Sequence, residues 1–395
     1  MNTANTFKSL DVSQEYCEKL EQLGITTPTG IQEQVIPLIK KNKNIIFQSE
    51  TGTGKTFAYL LPLLEKIDTK ILNTQLIIIA PTHELASQIK AQIQLVSDIK
   101  AALLIGSAPI KRQTELLKEK PQVIIGGPAR ILELIYLKKL KTNQIKYIVL
   151  DEVDRLLSPE LRDSTNELVE AMPKGTQVCA CSATITKKIE KLIGDIIQKV
   201  QPENEQVDLS VVLLPPEDIL RKRITHIAIY SETRDKIETL RKLLAAENPK
   251  KTMIFCSRAE QVEQIASRLL NKKVNCCVLH AKTDKIKRKQ ALDWFRSGKC
   301  SILITSDLAA RGLDIPGITH IIQMDLPSND DFFIHRAGRT GRAGKTGMNI
   351  VIGDGYEMRK YSLLEKKLKI VVNPRVLYKG KMVLPDQETE NKVTT

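Results

Sequence analysis

The sequence predicts an α/β fold of two tandem lobes, each a mostly parallel sheet flanked by helices. Short Ile/Val runs alternate with Leu-, Lys- and Glu-rich stretches of helical period. That alternation pauses in a proline-bearing stretch at 201–220 and then resumes. With 395 residues, the chain is long for one domain and sufficient for two cores.

In the first half the apolar runs lie at 44–49, 76–81, 101–106, 122–127, 147–152 and 177–183. Helical period fills 57–67, 85–96 and 130–140 between them. Near-continuous apolar runs, without polar alternation, are those of parallel strands covered on both faces. Pro202, Pro215 and Pro216, set among acids, mark the end of the first lobe and a linker. The second half repeats the rhythm at 251–257, 274–280, 300–306, 319–326 and 347–353. Beyond about Asn373 it stops, and 387–395 reads as a disordered polar tail. The expected partition is a first lobe at 1–210, a linker at 211–220, a second lobe at 221–372 and a basic, polar tail at 373–395.

Hydrophobic residues make up 42% of the chain and aromatics only 4%, so the cores must be built from Ile, Leu and Val. Apolar runs such as 76–80 fall far short of the ~18 residues that a membrane span needs. The polar first residues lack the apolar core of a secretory signal, and a cytoplasmic location with no membrane partner is expected. Seven scattered cysteines without a CxxC pair read as free thiols of a reducing compartment. A net charge of +14 suits a polyanionic partner, although a solvated lysine-rich surface gives the same excess.

Ser49-Glu50-Thr51-Gly52-Thr53-Gly54-Lys55-Thr56 stands between an apolar run and a helical stretch, the context of a phosphate-binding loop. Gly52 and Gly54 let the backbone curl its N–H groups toward phosphate oxygens, and the helix N-terminus adds its dipole. Lys55 is placed to reach the β- and γ-phosphates, and the Thr56 hydroxyl to ligate Mg²⁺. The run at 147–150 ends in Asp151-Glu152-Val153-Asp154. Asp151 is positioned to hold Mg²⁺ through a water, and Glu152 to polarise the water that attacks. A nucleotide triphosphatase using ATP and Mg²⁺ follows from these two segments.

The order and spacing of these and further motifs, over residues 7–350, resemble the DEAD-box helicases of superfamily 2, whose fold is two RecA-like lobes. Gly24-Ile25-Thr26-Thr27-Pro28-Thr29-Gly30-Ile31-Gln32 resembles the family's adenine-reading Q motif. The resemblance implies that Gln32 reads adenine and that Phe7 stacks near the base; Phe7 as an N-terminal core anchor is the alternative. The acidic motif that names the family stands here with Val153 in place of Ala, and the side chain is expected to pack behind its strand. Ser182-Ala183-Thr184 matches the motif whose hydroxyls (Ser182, Thr184) couple the nucleotide site to lobe closure.

Pro81-Thr82-His83-Glu84-Leu85-Ala86, Ile105-Gly106-Ser107 and Gly127-Pro128-Ala129-Arg130 match motifs of the lobe-one nucleic-acid surface. They carry His83 for Arg, Ser107 for Gly, Gly127 for Thr and Ala129 for Gly. The resemblance implies RNA contacts from Pro81, Thr82, Gly106 and Arg130 in lobe one. In lobe two it implies contacts from Arg258, Arg288, Thr305 and Gly312. Ala281 and Lys285 are further departures. It also implies that Asp314 faces the ATP ribose. Within His335-Arg336-Ala337-Gly338-Arg339-Thr340-Gly341-Arg342, it makes Arg339 and Arg342 arginine fingers on the γ-phosphate.

The function so implied is an ATP-dependent RNA helicase, a monomer that grips RNA mainly through its backbone and separates short duplexes or remodels RNA–protein assemblies. The basic stretch at 359–381 either extends the RNA surface or is a solvated helix. Ribosomal and RNA-decay partners both stay open. So do a DNA helicase and an ATP-gated RNA clamp with weak unwinding; the altered lobe-one motifs keep the clamp in view.

Overall fold

Each apolar run of the first half forms a strand, trimmed by one or two residues where the chain turns. The computed structural model describes residues 6–48, 54–182, 185–202, 208–213, 219–310, 313, 315–341 and 345–385. It divides into two units, Met1–Pro215 and Pro216–Thr395. In the first unit the strands are β1 (Asn44–Gln48), β2 (Leu76–Ile79), β3 (Ala101–Leu104), β4 (Val123–Gly126), β5 (Tyr147–Asp151), β6 (Gln177–Ser182) and β7 (Leu209–Leu213). Among the described residues they form one parallel sheet in the order β3-β4-β2-β5-β6-β1-β7.

Successive side chains leave opposite faces of a strand, so each run feeds two cores. Ile45, Phe47, Ile78 and Val149 enter one cluster; Ile46, Ile77, Ile79, Ile148 and Leu150 enter the other. Each such side chain, fully buried, contributes about 1.5–3 kcal/mol. Val153 is completely buried in the second cluster, where the packing expectation places it. β7 corrects the expectation that 211–220 is only linker. It pairs along β1 from Asn44↔Leu209 to Gln48↔Leu213, so the sheet runs past 210. β7 is a half-exposed edge strand, and its apolar run from Val211 stands directly before the prolines that mark the linker.

In the second unit the strands are β8 (Ile224–Tyr230), β9 (Thr252–Cys256), β10 (Cys277–Leu279), β11 (Ile302–Ser306), β12 (His320–Gln323), β13 (Gly347–Gly353), β14 (Val372–Tyr378) and β15 (Lys381–Val383). Their order is β10-β11-β9-β12-β13-β8-β14-β15, parallel except for the closing β14–β15 pair. This corrects the break expected at Asn373. β14 adds to β8 from Val372↔His226 to Arg375↔Ile229, and the chain then turns back on itself. Pro374 lies opposite Ala228 of β8 and is tolerated because β15 pairs only from Val376, which leaves the other edge of β14 open at Pro374. No helix among the described residues is long and apolar enough to cross a membrane.

Candidate functional site

At the carboxyl end of the first sheet, β1 runs into the segment Ser49, Glu50, Thr51, Gly52 and Thr53, which lies outside the described residues. The chain is described again at Gly54, whose φ of 90° is left-handed, and the helix Lys55–Glu65 follows. Lys55 and Thr56 open that helix and are half-buried. Gln32 is 2% exposed, and both ends of its amide are engaged by the chain. Its Oε1 accepts from the Thr29 N–H at 2.9 Å, and its Nε2 donates to the Gly54 carbonyl at 3.1 Å. In this structure the amide expected to read adenine braces Gly54, the last glycine of the expected phosphate loop. Phe7 is 3% exposed within the first core cluster. Little of its ring remains to stack on a base, which favours the anchoring alternative.

Asp151 ends β5 and is 3% exposed. Its Oδ2 accepts from the Tyr59 hydroxyl at 2.8 Å. Its Oδ1 accepts from the Glu152 N–H at 2.9 Å and the Cys181 thiol at 3.1 Å. Burial, and then the facing Asp151 charge, push the Tyr59 phenol and the Cys181 thiol well above their ordinary ranges, so both stay protonated donors. Glu152 turns the chain out of the strand in a left-handed conformation, at φ 51°. Ser182, fully buried at the end of β6, donates to Asp154 Oδ1 at 2.5 Å, tying the coupling motif to the acidic turn. The backbone N–H of Ile185 donates to Gln48 at 3.2 Å and brings the chain after that motif to the end of β1. Thr184 lies outside the described residues.

The expected lobe-one RNA residues also gather at strand ends. Thr82 caps the helix His83–Val96, accepting from the Leu85 N–H at 3.3 Å, and Pro81 beside it is half-buried. His83 is exposed, with Nδ1 2.9 Å from the Ser87 hydroxyl. Gly106 is exposed after β3. Arg130 donates to the Gly106 and Ala108 carbonyls at 2.8 and 2.7 Å and pairs with Glu133 at 2.9 Å. Its guanidinium therefore shapes the 106–108 loop. Gln113, which the motif pattern did not single out, braces the same loop through Ile105 and Ala108.

In the second unit Arg258 is exposed at the start of the helix Ala259–Asn271. Arg288, half-buried, donates to the Ala309 carbonyl at 3.1 Å. Thr305 is fully buried within β11, and its hydroxyl donates to the Ser306 carbonyl at 3.2 Å. Arg339 is 4% exposed and donates to the Leu313 carbonyl at 2.5 Å. Gly312, Asp314 and Arg342 lie outside the described residues. Arg336 stands three residues before Arg339. It is 1% exposed and is held by Asp307, Asp325, Gln323 and Ser257.

Residues 29–192 match the family described as DEAD/DEAH box helicase, and residues 235–344 match the helicase conserved C-terminal domain. DEAD-box ATP-dependent RNA helicase CshC of Bacillus cereus is 37% identical over 366 residues, 92% of this chain and 91% of that protein. The probable ATP-dependent RNA helicase YfmL of Bacillus subtilis is 36% identical over 362 residues, 91% of this chain and 93% of its own. Among solved structures, S. cerevisiae Dbp5 bound to RNA and ADP BeF3 matches with a TM-score of 0.85 at 26% identity, over 99% of both chains. Mss116p bound to ssRNA and AMP-PNP matches with a TM-score of 0.82 at 25% identity, over 99% of this chain and 82% of that one.

Proposed function

This chain belongs to the DEAD-box ATP-dependent RNA helicase family, and from that premise we propose that Asp151-Glu152-Val153-Asp154 is a DEVD variant of the family's acidic motif acting on ATP at the Lys55 loop. The chain is an ATP-dependent RNA helicase, an RNA-dependent ATPase that couples hydrolysis to local duplex separation or RNA–protein remodelling. The relatives are RNA helicases by name, so neither the DNA helicase nor the clamp reading is favoured. One observation carries the assignment of roles: the helix opened by Lys55 and the acid ending β5 meet, through Tyr59 and Asp151 at 2.8 Å.

Lys55 holds the β- and γ-phosphates together with the backbone of Ser49, Glu50, Thr51, Gly52, Thr53 and Gly54, and Glu152 orients the attacking water. Thr56 and Asp151 fit Mg²⁺: they bring hard oxygen donors, and the three hydrogen-bond donors at Asp151 are neutral. When bound, Mg²⁺ supplies charge neutralisation along the phosphates. Asp314 faces the ribose. Arg342, and Arg339 once released from the Leu313 carbonyl, bring positive charge to the γ-phosphate. Ser182 and Thr184 carry the state of the nucleotide to the rest of the protein. RNA is held along its backbone by Pro81, Thr82, Gly106, Arg258, Arg288 and Gly312, with Arg130 shaping the loop. The first lobe works as the ATP-binding half and the second as the helicase half, in a cytoplasmic monomer.

Two variants test these roles. Lys55→Ala and Glu152→Gln are each expected to lower RNA-stimulated hydrolysis by about 10²-fold or more, while Glu152→Gln still binds nucleotide. A Glu152→Gln protein that hydrolyses ATP like the parent overturns the assignment.

A further inference from the structure

We propose that Tyr59 is a positioning residue of the hydrolytic site, its hydroxyl holding the Asp151 carboxylate in the orientation that receives Mg²⁺. The inference rests on the reading of Asp151 as a metal-holding residue. Tyr59 lies three residues after Thr56 in the helix Lys55–Glu65, so the two side chains share a helix face. It is fully buried, and its hydroxyl donates to Asp151 Oδ2 at 2.8 Å. One phenol thus joins the helix that carries Thr56 to the carboxylate assigned to the metal.

The arrangement is chemically ordered. The single O–H proton of Tyr59 goes to Asp151 Oδ2, which commits the phenol as a donor to the carboxylate. On the other oxygen of Asp151, the Glu152 N–H and the Cys181 thiol fix the carboxylate plane from β5 and β6. Packing alone does not call for a hydroxyl here. Phe57, Ala58, Leu60 and Leu61 around position 59 are buried in the same apolar cluster, where a phenylalanine needs no partner.

Partners that orient a metal ligand typically contribute about 10–100-fold in metal affinity. Tyr59→Phe keeps the ring and removes only the donor. The test uses the full chain and a fluorescent ADP analogue, titrated with Mg²⁺ and again with EDTA, for the parent, Tyr59→Phe and Asp151→Asn. The factor by which Mg²⁺ tightens ADP binding is expected to fall about tenfold in Tyr59→Phe, with EDTA affinity unchanged. Parental Mg²⁺ coupling in Tyr59→Phe, beside lost coupling in Asp151→Asn, overturns the inference and leaves the metal assignment standing. Equal weakening with and without Mg²⁺ gives Tyr59 a structural role only, which also overturns it. Parental coupling in Asp151→Asn overturns the metal assignment itself.

Discussion

A side chain added at position 54 would meet the Gln32 amide nitrogen at 2.5 Å, on backbone already turned to φ +90°. Gly54→Ala must therefore strain the turn by about 1–2 kcal/mol or push Gln32 from its carbonyl. Nucleotide affinity should fall about tenfold in a fluorescence titration, and parental affinity would show that the contact is idle. His226 makes a different residue-scale prediction. It is 1% exposed, its Nε2 lies 2.7 Å from the Leu220 carbonyl and its Nδ1 3.2 Å from the Asn349 amide. Burial lowers its pKa to about 4, against the tendency of the Leu220 carbonyl to raise it. The unfolded chain takes up a proton near pH 6.5 and the folded one only near 4, so stability falls as pH drops through that window. The loss reaches about 3 kcal/mol at its lower end. Urea titrations at pH 7 and 4.5 should show a smaller drop for His226→Gln than for the parent; equal drops would clear His226. The proposed roles of Lys55, Asp151 and Glu152 come from the sequence, because their chemistry lies in contiguous motifs. That of Tyr59 does not, because the partner that gives its hydroxyl meaning is 92 residues away.

Elements were legible where both faces of a strand are covered. β1, β2, β4 to β6, β9 and β11 carry runs that bury nearly every side chain, and the sequence shows those runs. β8 and β14 were passed over because polar or exposed positions interrupt them, such as Thr225 and Pro374, and β7 because its apolar run adjoins the prolines read as linker. Between elements, polar side chains do the joining. A buried hydrogen-bonded chain runs from His226 in β8 through Asn349 in β13 and Gln323 in β12 to Arg336. Arg336 in turn binds Asp307 after β11 and Asp325 after β12, and Asp325 accepts from both the N–H and the hydroxyl of Ser257 after β9. Removing one partner leaves buried charge without compensation, so Arg336→Met should destabilise the second unit by about 3–5 kcal/mol in chemical denaturation. A change below about 1 kcal/mol would contradict a structural role for this network. The loop braced by Arg130 separates shaping from direct contact. Arg130→Met should weaken RNA binding while leaving the dependence of affinity on salt unchanged, because its guanidinium is committed to the Gly106 and Ala108 carbonyls and to Glu133. A salt slope reduced by about one would instead place Arg130 on a phosphate.

For the whole molecule, the pause at 201–220 pointed to two units, and the division falls between Pro215 and Pro216. The boundaries within that picture shifted, since β7 carries the first sheet past 210 and β14 with β15 carries the second past 373. The residues proposed for hydrolysis fall in both units, with Lys55, Asp151 and Glu152 in the first and Arg339 and Arg342 in the second. RNA that engages both should therefore control the rate, and phosphate contacts make that control sensitive to salt. The most direct test is ATP hydrolysis by the full chain with and without single-stranded RNA, beside DNA of the same sequence. Stimulation by RNA, absent with DNA and lost in Glu152→Gln, is the expected result. Hydrolysis at one rate in all three conditions, or surviving in Glu152→Gln, would contradict an RNA-gated ATPase built on these residues.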